Sequence, residues 1–302
     1  MPGKYKKGIV IRAFADSPNF LGGCSFIRTV DDYADIFRRA RSIGFTGVQP
    51  YLSIDEGVLS TATPSTVLRQ IRQFASDEGI DIPSLEIAPL EYSFTSDSEA
   101  ERRRGMDIVN RSVDIAAELG AEGILVIPGY VGKMWDPQTD QVDYEDAWNR
   151  TLACLRETSS RAAACNVSLL VEPIWNMFLL SPLEMRRLVD EVGSPHCGVL
   201  LDTGNITLFG FAEQWLRILG NRVRQIHLKD FRRAVGTIHG FVPLLAGDVN
   251  WTALADVARR IGFDGYWIAE QFPFPHCGTS ILEVTSLAMD RIFALQEEDQ
   301  AR

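Results

Sequence analysis

Ser42-Ile43-Gly44-Phe45-Thr46-Gly47-Val48 returns near the other end of the chain as Arg260-Ile261-Gly262-Phe263-Asp264-Gly265-Tyr266. In both copies an amphipathic run stops at a glycine and an apolar, β-rich run begins three residues later. A glycine just past the last apolar position is a common way for a helix to end. The same helix-to-strand joint met twice is what a repeated unit produces. Before the first joint, Tyr33, Ile36, Phe37, Ala40 and Ile43 recur at spacings of three and four, which predicts a helix over 30–43. The stretch 252–261 predicts its counterpart.

Outward from these joints the alternation continues. Runs with strand character occupy 8–14, 47–52, 82–87, 123–128, 168–172, 197–202, 223–227 and 265–270, with helix-like stretches between them. The runs are nearly continuous in apolar residues, as strands covered on both faces should be. Strands that alternate with helices imply a parallel sheet with right-handed crossovers. Eight such units in 302 residues imply an α/β protein with a closed (β/α)8 barrel. No Gly/Ser-rich or Pro-rich linker interrupts 1–302, so a single barrel domain is expected. The rival open sheet would carry a GxGxxG turn after its first strand, and none is present.

Composition narrows the function. Hydrophobic residues make up 46% and charged residues 23%, the balance of a globular chain with a large core. A net charge of −10 and a pI near 5.0 oppose nucleic acid as a partner. Arg102-Arg103-Arg104 opens an acidic helical stretch and reads as a solvated face. Five scattered cysteines without a CxxC pair suggest neither a disulfide framework nor a zinc knuckle. No apolar segment has signal-peptide character, and none approaches the ~20 residues of a membrane span. A cytoplasmic protein without a membrane partner is expected.

In such barrels chemistry sits where the strands end. The last four strands each end in a metal-capable residue. These are Glu172 in Leu169-Leu170-Val171-Glu172-Pro173, Asp202 in Leu200-Leu201-Asp202-Thr203-Gly204-Asn205, His227 in Gln225-Ile226-His227-Leu228-Lys229-Asp230, and Glu270 in Trp267-Ile268-Ala269-Glu270-Gln271. One bare carboxylate after an apolar run would cost several kcal/mol (~) to keep ionised, and a shared divalent cation removes most of that cost. Three carboxylates and one imidazole form a hard donor set, suited to Mn2+ first and also to Mg2+ or Co2+.

On these residues the chain resembles the sugar isomerase/epimerase superfamily of xylose isomerase-like barrels. The resemblance covers essentially the whole chain and is sharpest over 168–271. Asp-Thr-Gly-Asn (202–205), His-Leu-Lys-Asp (227–230) and Phe-Val-Pro-Leu-Leu-Ala-Gly-Asp-Val-Asn-Trp (241–251) are most similar to the L-ribulose- or L-xylulose-5-phosphate 3-epimerase branch, whereas Val-Glu-Pro-Ile (171–174) is similar to hydroxypyruvate isomerase. The resemblance implies that Glu172, Asp202, His227 and Glu270 are the four metal ligands. Two departures stand out: Asn205 where many free-ketose epimerases have His, and Gln49 where the second strand often ends in Glu. Four histidines are too few for the histidine-rich trinuclear zinc site that the endonuclease branch of the family needs.

Placement then suggests a mechanism. Strands five and eight flank the metal, so Glu172 and Glu270 face opposite sides of a ketose C3 and exchange its proton through a cis-enediolate. The expected substrate is a small sugar or sugar phosphate. Other residues carry alternatives: Asn205 either bonds a substrate hydroxyl or orders its loop. Arg233, by resemblance, contacts substrate, or else is solvated beside Arg232. His239 and His276 lie in loops toward the same face as candidate substrate contacts and proton shuttles. Glu86 at the end of the third strand is expected to support the site, and His196 to be structural at the opposite end. Trp135, Trp175, Phe272 and Phe274 are candidates for the pocket wall. A homo-oligomer, dimer or tetramer, is expected. Two rival readings remain: a metal-dependent lyase or dehydratase on 3-oxo sugars, for which a small second subunit is conceivable, and a sugar-binding barrel without chemistry.

Overall fold

Eight parallel strands alternate with eight helices: β1 (Lys7–Val10), α1 (Asp32–Ile43), β2 (Gly47–Gln49), α2 (Ser65–Asp77), β3 (Ser84–Ile87), α3 (Glu99–Leu119), β4 (Gly123–Val126), α4 (Tyr144–Cys165), β5 (Ser168–Val171), α5 (Pro182–Val192), β6 (Cys197–Asp202), α6 (Ala212–Leu219), β7 (Val223–Leu228), α7 (Trp251–Ile261), β8 (Tyr266–Ala269) and α8 (Ser280–Glu298). The computed structural model describes residues 5–18, 23–88, 91–136 and 138–298. Each strand pairs in parallel with its sequence neighbours, except that β3 is joined by the two residues Tyr51–Leu52 that follow β2, and β8 returns to β1.

Closure runs through the segment 47–52. The run 47–52 pairs with β1 through Gly47–Gln49, breaks at Pro50, which has no N–H to give, and resumes at Tyr51–Leu52 beside β3. The Pro50 carbonyl still accepts from Glu86 N at 2.9 Å, and Val48 N donates to Asp81 O at 3.0 Å. One stretch of chain therefore binds a neighbour on each side and completes the ring.

The helices begin and end where local chemistry says. Ser98, Asp143, Ser181 and Asn250 cap the N-termini of α3, α4, α5 and α7 through side-chain oxygens. Gly44 (φ +99°) and Gly262 (φ +68°) close α1 and α7 in the left-handed region, at the two joints that the repeat exposes. Phe37, Leu68, Leu155, Leu216 and Leu254 are fully buried between helices and sheet, each contributing about 1.5–3 kcal/mol. The five cysteines are unpaired. Among the described residues no helix is long and apolar enough to cross a membrane.

Two departures from the expected elements shape the site. The first strand stops at Val10, and a 3-10 turn over Ile11–Phe14 follows, which buries Arg12. In β7 an extra residue interrupts the ladder: Val199 pairs with Val223 but Leu200 with Gln225, skipping the exposed Arg224. From there Gln225, His227 and Lys229 alternate onto one face, which is buried.

Candidate metal centre

The ends of β5, β6, β7 and β8 place Glu172, Asp202, His227 and Glu270 together. One ligand atom from each lies within 4.8 Å of all the others, and all four residues are buried. His227 Nδ1 is 3.0 Å from Glu172 Oε1, 3.0 Å from Glu270 Oε2 and 3.9 Å from Asp202 Oδ2. Asp202 Oδ1 accepts the backbone N–H of Asn205 at 2.7 Å, whereas the buried Oδ2 accepts no hydrogen bond. Lys229 Nζ stands 3.1 Å from that oxygen as a neighbouring charge. Three buried carboxylates and an imidazole nitrogen converging on one point, with Asp202 Oδ2 facing no hydrogen-bond donor but the Lys229 ammonium, are a donor set that fits a divalent cation. The four residues found together are those picked out by the strand-end reading.

The surrounding charges were less visible in the sequence. Lys229 sits 2.9 Å from Glu270 Oε2, donates to Asn205 Oδ1 at 3.3 Å and lies 5.0 Å from the centre of the Phe241 ring. Arg12 reaches in from the turn after β1 and grips Glu86 through Nε (3.2 Å) and Nη2 (2.5 Å), while Nη2 also reaches Glu270 Oε1 at 3.2 Å. Glu86 thus supports the site through Arg12. The period of two in Gln225-Ile226-His227-Leu228-Lys229 was the available signal for Lys229; nothing in the spacing announces Arg12.

Electrostatics follow from this crowding. Burial opposes charge on His227, but the carboxylates of Glu172 and Glu270 outweigh it and push the imidazole up to about 10. Burial raises Asp202 to about 7, against the pull of Lys229. Glu270 goes the other way: burial opposes its charge, yet Lys229, His227 and Arg12 together hold it well below the usual carboxylate range. Lys229 and Arg12 are raised by the same acidic neighbours despite burial.

Beside Glu270 and Lys229 opens a cavity of about 200 Å³ walled by Phe241, Pro243, Phe272 and Phe274. Trp175 stacks on Phe241 behind that wall (5.2 Å, 24°) and donates its Nε1–H to Asn205 O. Asn205 is committed to the loop as well, donating from Nδ2 to Pro173 O at 3.2 Å. Arg233 turns away from the cavity: its guanidinium holds Thr207 O (2.7 Å) and Gly210 O (2.8 Å) and stacks over Phe211. His239 and His276 are exposed and outside the cavity lining, and Trp135 is also exposed. His196 bonds Val167 O before β5, at the far end of the barrel. Asp230 anchors the loop after β7, accepting from Gly247 N, Val249 N and Trp251 Nε1. A Cβ at Gly247 would meet Asp230 Oδ1 at 2.2 Å, so only glycine fits there.

The family model for xylose isomerase-like TIM barrels matches residues 37–284. SgbU of Escherichia coli (strain K12), assigned as an L-ribulose-5-phosphate 3-epimerase, is 28% identical over 245 residues, 77% of this chain and 81% of its own. A 2-epi-5-epi-valiolone 7-phosphate 2-epimerase of Actinoplanes sp. (strain ATCC 31044 / CBS 674.73 / SE50/110) is 30% identical over 204 residues, covering 65% and 67% of the two chains. The solved structure of an L-ribulose 3-epimerase superposes with a TM-score of 0.77 over 98% of this chain and 97% of its own, at 16% identity, a likeness of fold. The chain belongs to the xylose isomerase-like TIM barrel family.

Proposed function

We propose that this barrel is a divalent-metal-dependent epimerase of a ketose or ketose phosphate, exchanging the proton at C3 between Glu172 and Glu270. The observation that carries the reading is the pair of buried carboxylates on strands β5 and β8, each 3.0 Å from the same His227 nitrogen and one of them on the cavity wall. Two relatives named as sugar or cyclitol epimerases support the class of reaction.

Glu172, Asp202, His227 and Glu270 would hold the cation. When bound, it would polarise a substrate carbonyl and ease loss of the neighbouring C–H proton. This chain's own groups do the rest. Lys229 and Arg12, both beside Glu270, favour its ionised form, so it is available to accept a proton at carboxylate oxygen. Glu172 approaches from the strand across the site and returns a proton on the other face. Lys229 places a buried ammonium on the cavity lining, where negative charge on a substrate oxygen would gain from it. Phe241, Phe272 and Phe274 give the proton-transfer path an apolar wall.

The test is turnover of ketoses and ketose phosphates with Mn2+ in D2O. The expected result is deuterium at C3 and conservation of total sugar. Glu172→Gln and Glu270→Gln should each lose about 10²-fold or more in turnover, with opposite epimers slowest to take up label. Irreversible loss of substrate from a 3-oxo sugar would replace the epimerase with a lyase. Undiminished activity in both variants would remove the two-carboxylate mechanism.

A further inference from the structure

The interior of the barrel below the centre holds three polar side chains that no part of the proposed chemistry uses: Gln49, Ser84 and Gln225, all buried and all outside the cavity wall. They form one unbroken chain. Gln225 Nε2 meets Pro83 O at 2.8 Å, Ser84 Oγ meets Gln225 Oε1 at 2.6 Å, and Gln49 Nε2 meets Ser84 Oγ at 2.8 Å. Gln49 Oε1 then meets His227 Nε2 at 2.9 Å.

Only one member of this chain has a fixed role, and it determines all the others. The Pro83 carbonyl can only accept, so the end of Gln225 that faces it must be the amide N–H. Gln225 therefore turns its oxygen to Ser84, whose hydroxyl must donate to it. Ser84 is left to accept, so Gln49 must present its N–H to Ser84 and its oxygen to His227. His227 Nε2 must then carry a proton. Its other nitrogen, Nδ1, is the one aimed at Glu172, Asp202 and Glu270.

We propose that Gln49, Ser84 and Gln225 are positioning residues: together they hold His227 with Nε2 protonated, so that the Nδ1 lone pair faces the metal centre. Ser84 and Gln225 act without touching any ligand carboxylate. If Ser84 loses its hydroxyl, the Gln49 amide loses the partner that sets its orientation. A turned amide would offer N–H to Nε2 and favour the imidazole form protonated at Nδ1, which cannot coordinate. The inference rests on the proposed metal centre, and one experiment separates the two.

Mn2+ affinity is measured by calorimetry for the wild type, Ser84→Ala, Ser84→Thr, Gln225→Met and, as a control for barrel-interior damage, Leu200→Ala. Zn2+-loaded protein labelled with 15N-histidine reports the His227 tautomer by long-range 1H–15N correlation. Ser84→Ala and Gln225→Met should weaken Mn2+ binding about 10- to 100-fold, the usual cost of removing an outer partner of a ligating histidine. Ser84→Thr, which keeps the hydroxyl, should recover most of it, Leu200→Ala should bind as the wild type does, and wild-type His227 should show Nε2–H. Wild-type affinity in both Ser84→Ala and Gln225→Met, or Nδ1–H in the wild type, overturns the positioning role alone. Losses no greater than that of Leu200→Ala do the same. Absence of Mn2+ binding in the wild type overturns the metal centre and the positioning role with it.

Discussion

The two halves of the barrel interior are built on different principles. On the side of β4, β5 and β6, Leu125, Ile127, Leu170 and Leu200 pack into a small apolar cluster of their own. On the side of β1, β2, β3 and β7, the interior is Arg12, Gln49, Ser84, Glu86, Gln225, His227 and Lys229, all buried and all hydrogen-bonded or ion-paired. The apolar half needs only volume. The polar half needs every partner in place, because a buried polar group without one costs about 1–3 kcal/mol. The lesson is that Glu172 and Asp202 stand at the ends of strands of the apolar half, whereas His227 is held by Gln49 and Glu270 by Arg12 and Lys229 of the polar half.

Substitutions should separate the halves. Arg12→Met would leave Glu86 and Glu270 facing each other without their shared guanidinium. Breaking a buried pair in this way costs about 3–5 kcal/mol, and the melting temperature should fall together with Mn2+ affinity. Leu200→Ala should cost about 2–5 kcal/mol by leaving a cavity, with Mn2+ affinity unchanged. Equal effects of the two on metal binding would erase the distinction between the halves.

A smaller effect tests the charges. In metal-free protein Asp202, at about 7, stands above its ordinary 3.8, and His227, at about 10, above its ordinary 6.5. Both therefore bind protons more tightly folded than unfolded. The His227 contribution is fully present below 6.5 and disappears as pH rises through about 10, while that of Asp202 disappears as pH rises through about 7. The melting temperature in EDTA should accordingly decline as pH rises over this range. Mn2+ should flatten the decline, since a cation takes over the proton's place. A metal-free protein that gains stability on going from pH 6.5 to pH 10 would contradict the clasp of His227 by Glu172 and Glu270.

The same division explains what could be read from the sequence. The joints at Gly44 and Gly262 and the eight apolar runs disclosed the barrel because packing against both faces of a sheet leaves a local pattern. Glu172, Asp202, His227 and Glu270 were legible because each stands at the same place, one strand after another. The polar half left no such mark. Arg12 was hidden by a strand read as continuing to Phe14, where the chain instead turns inward. Gln49 stood out only as a departure from a family habit, and its partners Ser84 and His227 are 35 and 178 residues away in sequence. Arg233 was placed at the substrate by resemblance, with a solvated loop position as the alternative, and neither says which way a long side chain turns. It turns to the backbone at 207–210.

The central claim is that Glu172, Asp202, His227 and Glu270 form one cation site. Its most direct test is the Mn2+ stoichiometry of the wild type, Asp202→Ala and His227→Ala, measured by calorimetry alongside the melting temperature. The account predicts one Mn2+ per chain in the wild type, a melting temperature that rises with Mn2+ and falls in EDTA, and loss of both responses in the two folded variants. Mn2+ binding at wild-type stoichiometry and affinity in Asp202→Ala and His227→Ala would contradict it.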